Sequence, residues 1–148
     1  MEKVIAVNRK ARHEYFLEEF FEAGLELTGT EIKSIRLGKA QFKEAYIDFK
    51  HGEAFIVDMH IAQYDHGNIF NHEETRDRRL LLHRSEIRYL RKQVTVQGYT
   101  VVPTRLYLKK GLAKMEIALA KGKHLYDKRQ DLKNRDAQRE IEKAMSKY

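Results

Sequence analysis

Ala118-Leu119-Ala120-Lys121-Gly122-Lys123-His124-Leu125-Tyr126-Asp127-Lys128-Arg129 is the stretch where the chain changes character. Before it, apolar and polar side chains alternate, the period of a half-buried strand. The alternation breaks at Gly122, and from Lys123 to Tyr148 there is neither glycine nor proline and little that could form a core. This predicts a folded body over residues 1–120 and a charged arm over residues 121–148. The arm holds nine Lys/Arg against five Asp/Glu, so it carries four of the chain's seven net positive charges.

The arm's clear apolar side chains are Leu125, Leu132, Ile141 and Met145. Ile141, Met145 and Tyr148 fall on one side of a helix, and Asp131–Arg135, Asp136–Arg139 and Glu140–Lys143 could pair along it. Each such pair is worth about 0.2–0.5 kcal/mol, whereas ordering costs about 1–2 kcal/mol per residue. The expectation is an arm disordered alone and helical when bound; the alternative is a solvated helix docked on its own body. Fully helical, the residues after Gly122 would reach about 40 Å.

Working back from the arm, Tyr99–Leu108 and Leu112–Ala120 read as strands joined at Lys109-Lys110-Gly111. Arg84–Lys92 reads as a helix with Ile87, Leu90 and Arg91 on one side, and Leu80-Leu81-Leu82 as a buried segment. Gln63–Arg79 is a polar loop. Phe42–Phe49 and Ala54–Ile61 are strands around a turn at Lys50-His51-Gly52-Glu53. Thr28-Gly29-Thr30-Glu31 matches a capping box, opening a helix through Leu37 that Gly38 stops. Tyr15–Leu27 fits both periods; the alternation of Tyr15, Leu17, Phe21, Ala23, Leu25 and Leu27 favours a strand. Pro103, the single proline, should sit at an edge or a bulge because it donates nothing to a ladder. The predicted class is mainly β with short α-helices: a small OB-like barrel plus a basic C-terminal tail.

The 148 residues make one domain's worth of chain, with 42% hydrophobic and 34% charged residues and a net charge of +7. A basic balance suits a polyanionic partner. No cysteine is present, which excludes thiolate catalysis and cysteine-ligated zinc and fits a reducing cytoplasm. The opening apolar run is too short for a secretory signal, and no stretch approaches the roughly 18 apolar residues of a membrane span. His60, His66, His72 and His83 surround one loop but lack metal-ligand spacing, and no H-E-x-x-H or phosphate-binding loop occurs. No metal, no cofactor and no enzyme is expected.

Basic residues interleaved with aromatics recur instead. Arg9, Lys10, Arg12 and His13 precede Tyr15 and Phe16; Lys33, Arg36 and Lys39 share one side of the predicted helix; Arg76, Arg78 and Arg79 form a third cluster; Tyr107, Lys109, Lys110 and Lys114 form a fourth. Each alone also fits a solvated surface. Together they favour RNA, since cations meet phosphates and aromatic faces stack on unpaired bases.

Several segments, in this order, resemble the SsrA-binding protein (small protein B) family. They are Asn8-Arg9-Lys10-Ala11, Phe21-Glu22-Ala23-Gly24, Thr28-Gly29-Thr30-Glu31-Ile32-Lys33-Ser34, Gly67-Asn68 with Asn71-His72, and Arg79-Leu80-Leu81-Leu82-His83. Val101-Val102-Pro103, Ala118 to Lys123 and Tyr126-Asp127-Lys128-Arg129 complete the set. The resemblance implies an OB-like barrel that grips the tRNA-like end of transfer-messenger RNA. It implies a tail that enters the ribosome, at the small-subunit decoding centre and mRNA channel, so that stalled ribosomes are rescued and the incomplete peptide tagged. A complex with elongation factor Tu, a cytoplasmic setting and no membrane are implied as well. By the same resemblance the RNA face uses Glu22, Leu81, His83 and Lys114, with His13 nearby, and the tail acts through Gly122, Lys123, His124, Tyr126, Asp127, Lys128 and Arg129. Gln63 and Glu74 depart from frequent prolines, and His124 from a frequent lysine. The alternatives are a general OB-type RNA-binding or ribosome-associated protein and a metal-assisted nuclease.

Overall fold

A computed structural model describes residues 2–65 and 71–123 of the chain. Its elements run β1 (Glu2–Val7), α1 (Arg9–Glu14), β2 (Tyr15–Leu25), α2 (Gly29–Arg36), β3 (Ala40–Gln41), β4 (Tyr46–Lys50), β5 (Glu53–Val57), β6 (His60–Ile61), β7 (Arg78–Leu81), α3 (Arg84–Gln97), β8 (Thr100–Lys109) and β9 (Leu112–Gly122). The helical reading of the arm, and the readings at His66, Gly67, Asn68, His124, Tyr126, Asp127, Lys128 and Arg129, lie outside the described residues.

Two hairpins organise the sheet. His51 and Gly52 take φ of 51° and 76°, and Lys110 and Gly111 take 52° and 80°. Positive φ at both central residues twists a two-residue turn in step with its strands. Lys50 accordingly pairs Glu53, and Lys109 pairs Leu112. All pairings are antiparallel, in the order β1-β8-β9-β2-β7-β5-β4, with β3 and β6 as a separate ribbon. The sheet curls until β4 meets β8 and the β3–β6 ribbon meets β1, giving the OB-like barrel. Ala23, Ile47, Ile56, Leu80, Leu106, Met115 and Ile117 fill it from six strands, and Ile35 of α2 and Leu90 of α3 add to the same core.

One insertion aims β2 both ways. Leu17 pairs Ala120 and Glu19 pairs Leu119, leaving Glu18 extra, a bulge that shifts the register by one. Beyond it Phe21, Ala23 and Leu25 face the main core. Before it Tyr15 and Leu17 pack with Ala11, Val102 and Ala120 beneath α1, on the barrel's outer side. The side chain of Asn8 caps α1, accepting from Ala11 N at 3.2 Å while its amide donates to Pro103 O at 2.8 Å. Pro103 lies where the β8–β9 register shifts, at a bulge.

Several sequence expectations need correction. Phe42–Phe49 is not one strand: Lys43 has positive φ and a turn closes from Phe42 to Ala45 before β4 begins. Ala54–Ile61 divides at Asp58, also at positive φ, so His60 and Ile61 pair with β3 instead. The helix from Arg84 continues to Gln97, where Gly98 terminates it in the left-handed region. β9 runs through Lys121 to Gly122, which pairs Tyr15. Leu81 is exposed, not buried as part of Leu80-Leu81-Leu82. Lys39 falls beyond α2 because Gly38 reverses the chain.

The cluster Arg76, Arg78 and Arg79 is structural. Glu31, the capping-box acid, is fully buried. Its Oε1 accepts from Thr28 N at 2.9 Å and Arg76 Nη2 at 2.7 Å; its Oε2 accepts from Arg76 Nε at 2.9 Å and Arg78 Nε at 2.7 Å. Arg78 is equally buried and spends its other donors on Met59 O, Glu73 O and Glu74 O. Burial alone would raise the Glu31 carboxyl, but these donors outweigh it and hold it below the usual range. Arg79 pairs with Glu26 and Glu53. The knot ties the start of α2 to β7.

Candidate nucleic-acid interface

Antiparallel register sets one row of residues across four strands. Leu81 of β7 lies opposite Gly24 of β2, Gly24 opposite Lys114 of β9, and Lys114 opposite Tyr107 of β8. The row faces outward, since the neighbouring Ala23, Met115 and Leu106 face the core. A Cβ at Gly24 would just touch Leu81 Cβ and Cδ1, at 3.4 Å, so a side chain larger than a methyl would crowd Leu81. Leu81 therefore leans over the bare strand with 46% of its surface exposed. Beside the row lies an apolar groove lined by Leu25, Leu27, Ile32 and Leu81, with Arg36 of α2 and Lys114 in its wall.

The next row along the strands is charged. Glu22 lies opposite Glu116, and Glu116 opposite Arg105. Two carboxylates side by side repel unless each is matched. Glu116 is held by Arg105 Nε at 2.9 Å and by the Thr104 hydroxyl at 2.9 Å. Glu22 accepts from the Tyr107 hydroxyl at 2.5 Å and from Lys109 Nζ at 3.3 Å. The Tyr107 hydrogen bond, ahead of the lysine charges, keeps the Glu22 carboxyl below its ordinary range. Burial, then Glu22, pushes the Tyr107 phenol upward. Arg105 stacks on the Tyr107 ring, 4.3 Å from its centroid, and also bonds Glu2 at 3.1 Å. Glu22 thus remains an ionised, partly exposed acceptor in a fixed orientation, with Lys109 and Lys114 beside it. Such a group repels phosphate but receives N–H donors of a base edge.

The structure brings Glu22, Leu81, Lys114 and Arg36 to this face. His83 follows β7 two residues after Leu81, heading towards the level of Glu22, and is exposed at the start of α3. Lys33 does not join them; its ammonium lies over Tyr64, 5.5 Å from the ring centroid. Arg9, Lys10, Arg12 and His13 are exposed on α1, at the opposite end of β2. From Tyr15 to Glu22 an extended strand covers about 23 Å, so α1 forms a separate basic area. Lys10 there pairs with Glu44 at 2.8 Å. Lys123 reaches the same area: Nζ donates to Arg12 O at 3.3 Å and lies 5.3 Å from the Phe16 ring centroid.

The residues that build the face were partly missed. Tyr107 reads in sequence as a stacking aromatic, yet it is 2% exposed and serves to orient Glu22. Arg105 carried no signal beyond strand membership, and Gly24 stood out only within Phe21-Glu22-Ala23-Gly24; the pairing register gives both their place. His72 is likewise internal, with Nδ1 against Thr30 Oγ1 and Nε2 against Ile61 O, both at 2.9 Å. Among the described residues no group of three His, Asp or Glu is arranged to hold a metal.

A family model described as SmpB protein matches residues 5–147. An SsrA-binding protein of Shouchella clausii is 54% identical over 143 residues, covering 97% of this chain and 92% of its own. One of Geobacillus thermodenitrificans is 56% identical over 142 residues, covering 96% and 92%. A solved structure described as "tmRNA-SmpB: a journey to the center of the bacterial ribosome" superimposes with a TM-score of 0.67 at 40% identity, covering 90% of this chain and 91% of that one.

Proposed function

The chain belongs to the SmpB family, and on that premise we propose that it is the RNA-binding adaptor of trans-translation. It binds transfer-messenger RNA and delivers it to stalled ribosomes, where the ribosome is rescued and the incomplete peptide tagged. Its partners are transfer-messenger RNA and the ribosome. The observation that carries the reading at the level of chemistry is the outer face of β7-β2-β9-β8. An oriented carboxylate, two lysines and an exposed leucine beside an apolar groove can together receive a base edge, phosphates and an unstacked base.

In finer terms, Glu22, Leu81, His83, Lys114 and Arg36 form the main RNA contact, with Arg9, Lys10, Arg12 and His13 of α1 as a second area and Lys33 peripheral. Residues 1–120 act as the RNA-binding body. Residues 121–148 act in the ribosome, at the decoding centre and mRNA channel, through Gly122, Lys123, His124, Tyr126, Asp127, Lys128 and Arg129. Elongation factor Tu joins the delivered complex. The protein works by binding, without a catalytic centre and in the cytoplasm; no described helix is long and apolar enough to cross a membrane. The test is reconstituted peptide tagging on ribosomes stalled at the end of a message lacking a stop codon. Tagged peptide should appear only when this protein and transfer-messenger RNA are both present; tagging that ignores the protein would refute the reading.

A further inference from the structure

Helix α3 has a face that the RNA site above does not use. Ile87 and Leu90 are buried and Val94 packs on the core. One flank is spent on β2 and the helix start: Tyr89 donates to Glu19, and Glu86 accepts from His83 N at 3.0 Å. The other flank carries Arg84, Arg88, Arg91 and Lys92, at i, i+4, i+7 and i+8, all exposed. At 3.6 residues per turn these four form one stripe about 12 Å long. Among the described residues none of their side chains has an ion pair or a hydrogen bond, although most other arginines of the body do. The helix's single acid, Glu86, lies on the opposite flank. Like charges at these spacings oppose helix formation, so the stripe is a cost that a polyanion would relieve.

We infer that the Arg84–Lys92 flank of α3 docks on the phosphate backbone of a ribosomal RNA helix, as a second RNA surface separate from the Glu22 face. Two observations select this occupant. The stripe has one sign and nothing apolar between its cations, the character of a backbone contact rather than a protein interface. It also lies on the flank of α3 away from Tyr89, the residue that bonds Glu19 of β2. The inference rests on the function proposed above, since an adaptor delivering one RNA to the ribosome meets ribosomal RNA with its free side.

The test compares the full chain with R84A/R88A/R91A and with R84K/R88K/R91K. Each is titrated against vacant ribosomes and, separately, against transfer-messenger RNA, over a range of salt. The alanine variant should bind ribosomes at least about tenfold more weakly, with the slope of log K against log salt smaller by roughly two to three. Its binding to transfer-messenger RNA should be unchanged, which also shows that it folds. The lysine variant should retain ribosome binding, because a backbone contact needs charge and not the guanidinium fork. Unchanged ribosome affinity and slope would overturn the inference. So would a loss on transfer-messenger RNA instead, or a salt-independent loss on ribosomes, which would indicate a protein partner. Failure of the unaltered chain to bind transfer-messenger RNA would refute the proposed function itself, a distinct outcome.

Discussion

Tyr107 on β8 reaches over the whole width of β9 to hydrogen-bond Glu22 on β2, at 2.5 Å. Arg105 covers the same ring, so the phenol is fixed from behind as well as at its tip. The carboxylate of Glu22 is thereby set in place before any ligand arrives, which lowers the ordering cost of binding.

Tyr107→Phe removes that bond and leaves the ring. Affinity for transfer-messenger RNA should fall about tenfold, equivalent to about 1.4 kcal/mol, at the upper end of the net contribution of a typical hydrogen bond. The Glu22 carboxyl should titrate at higher pH in the variant, read by carbon-13 NMR. In the unaltered protein its lowered pKa contributes stability above the unfolded carboxylate range, and this is lost as pH falls through the folded value. Unchanged affinity and titration would show that the bond orients nothing.

Gly24→Val places a branched side chain where a Cβ alone would already meet Leu81 at 3.4 Å. The new methyls should displace Leu81 and close the groove. Binding should drop by more than tenfold while the melting temperature moves little, because the row faces outward. Equal loss of fold and binding would place Gly24 in the core instead.

How far the sequence revealed this face follows from what register does. The capping box at Thr28–Glu31 and both tight turns are local chemistry, and all were legible. The breaks at Lys43 and Asp58 were not, because positive φ at Lys or Asp leaves no compositional mark. The Leu81–Gly24–Lys114–Tyr107 row is invisible in sequence, since it joins residues from four strands whose order depends on closure of the barrel. Arg78 looked like a surface cation because its partner, Glu31, is 47 residues away.

Glu31→Ala leaves Arg78 buried without its counter-charge. Breaking one side of a buried pair costs about 3–5 kcal/mol, so urea denaturation should show a loss of that size, with α2 and β7 loosening first in hydrogen exchange. A loss below about 1 kcal/mol would mark the pair as a surface-type bridge.

Ending the chain after Lys123 keeps the β9–β2 ladder, which closes with Gly122 opposite Tyr15. That truncation should bind transfer-messenger RNA like the full chain and support no peptide tagging in the reconstituted system. Loss of both together would contradict the division between body and arm.

The most direct test of the central claim is competition binding of the full chain at physiological salt, with transfer-messenger RNA against unrelated structured RNAs of equal length. The account predicts a preference of at least about a hundredfold for transfer-messenger RNA, retained as salt rises even while both affinities weaken. Equal affinity for all the RNAs would contradict it.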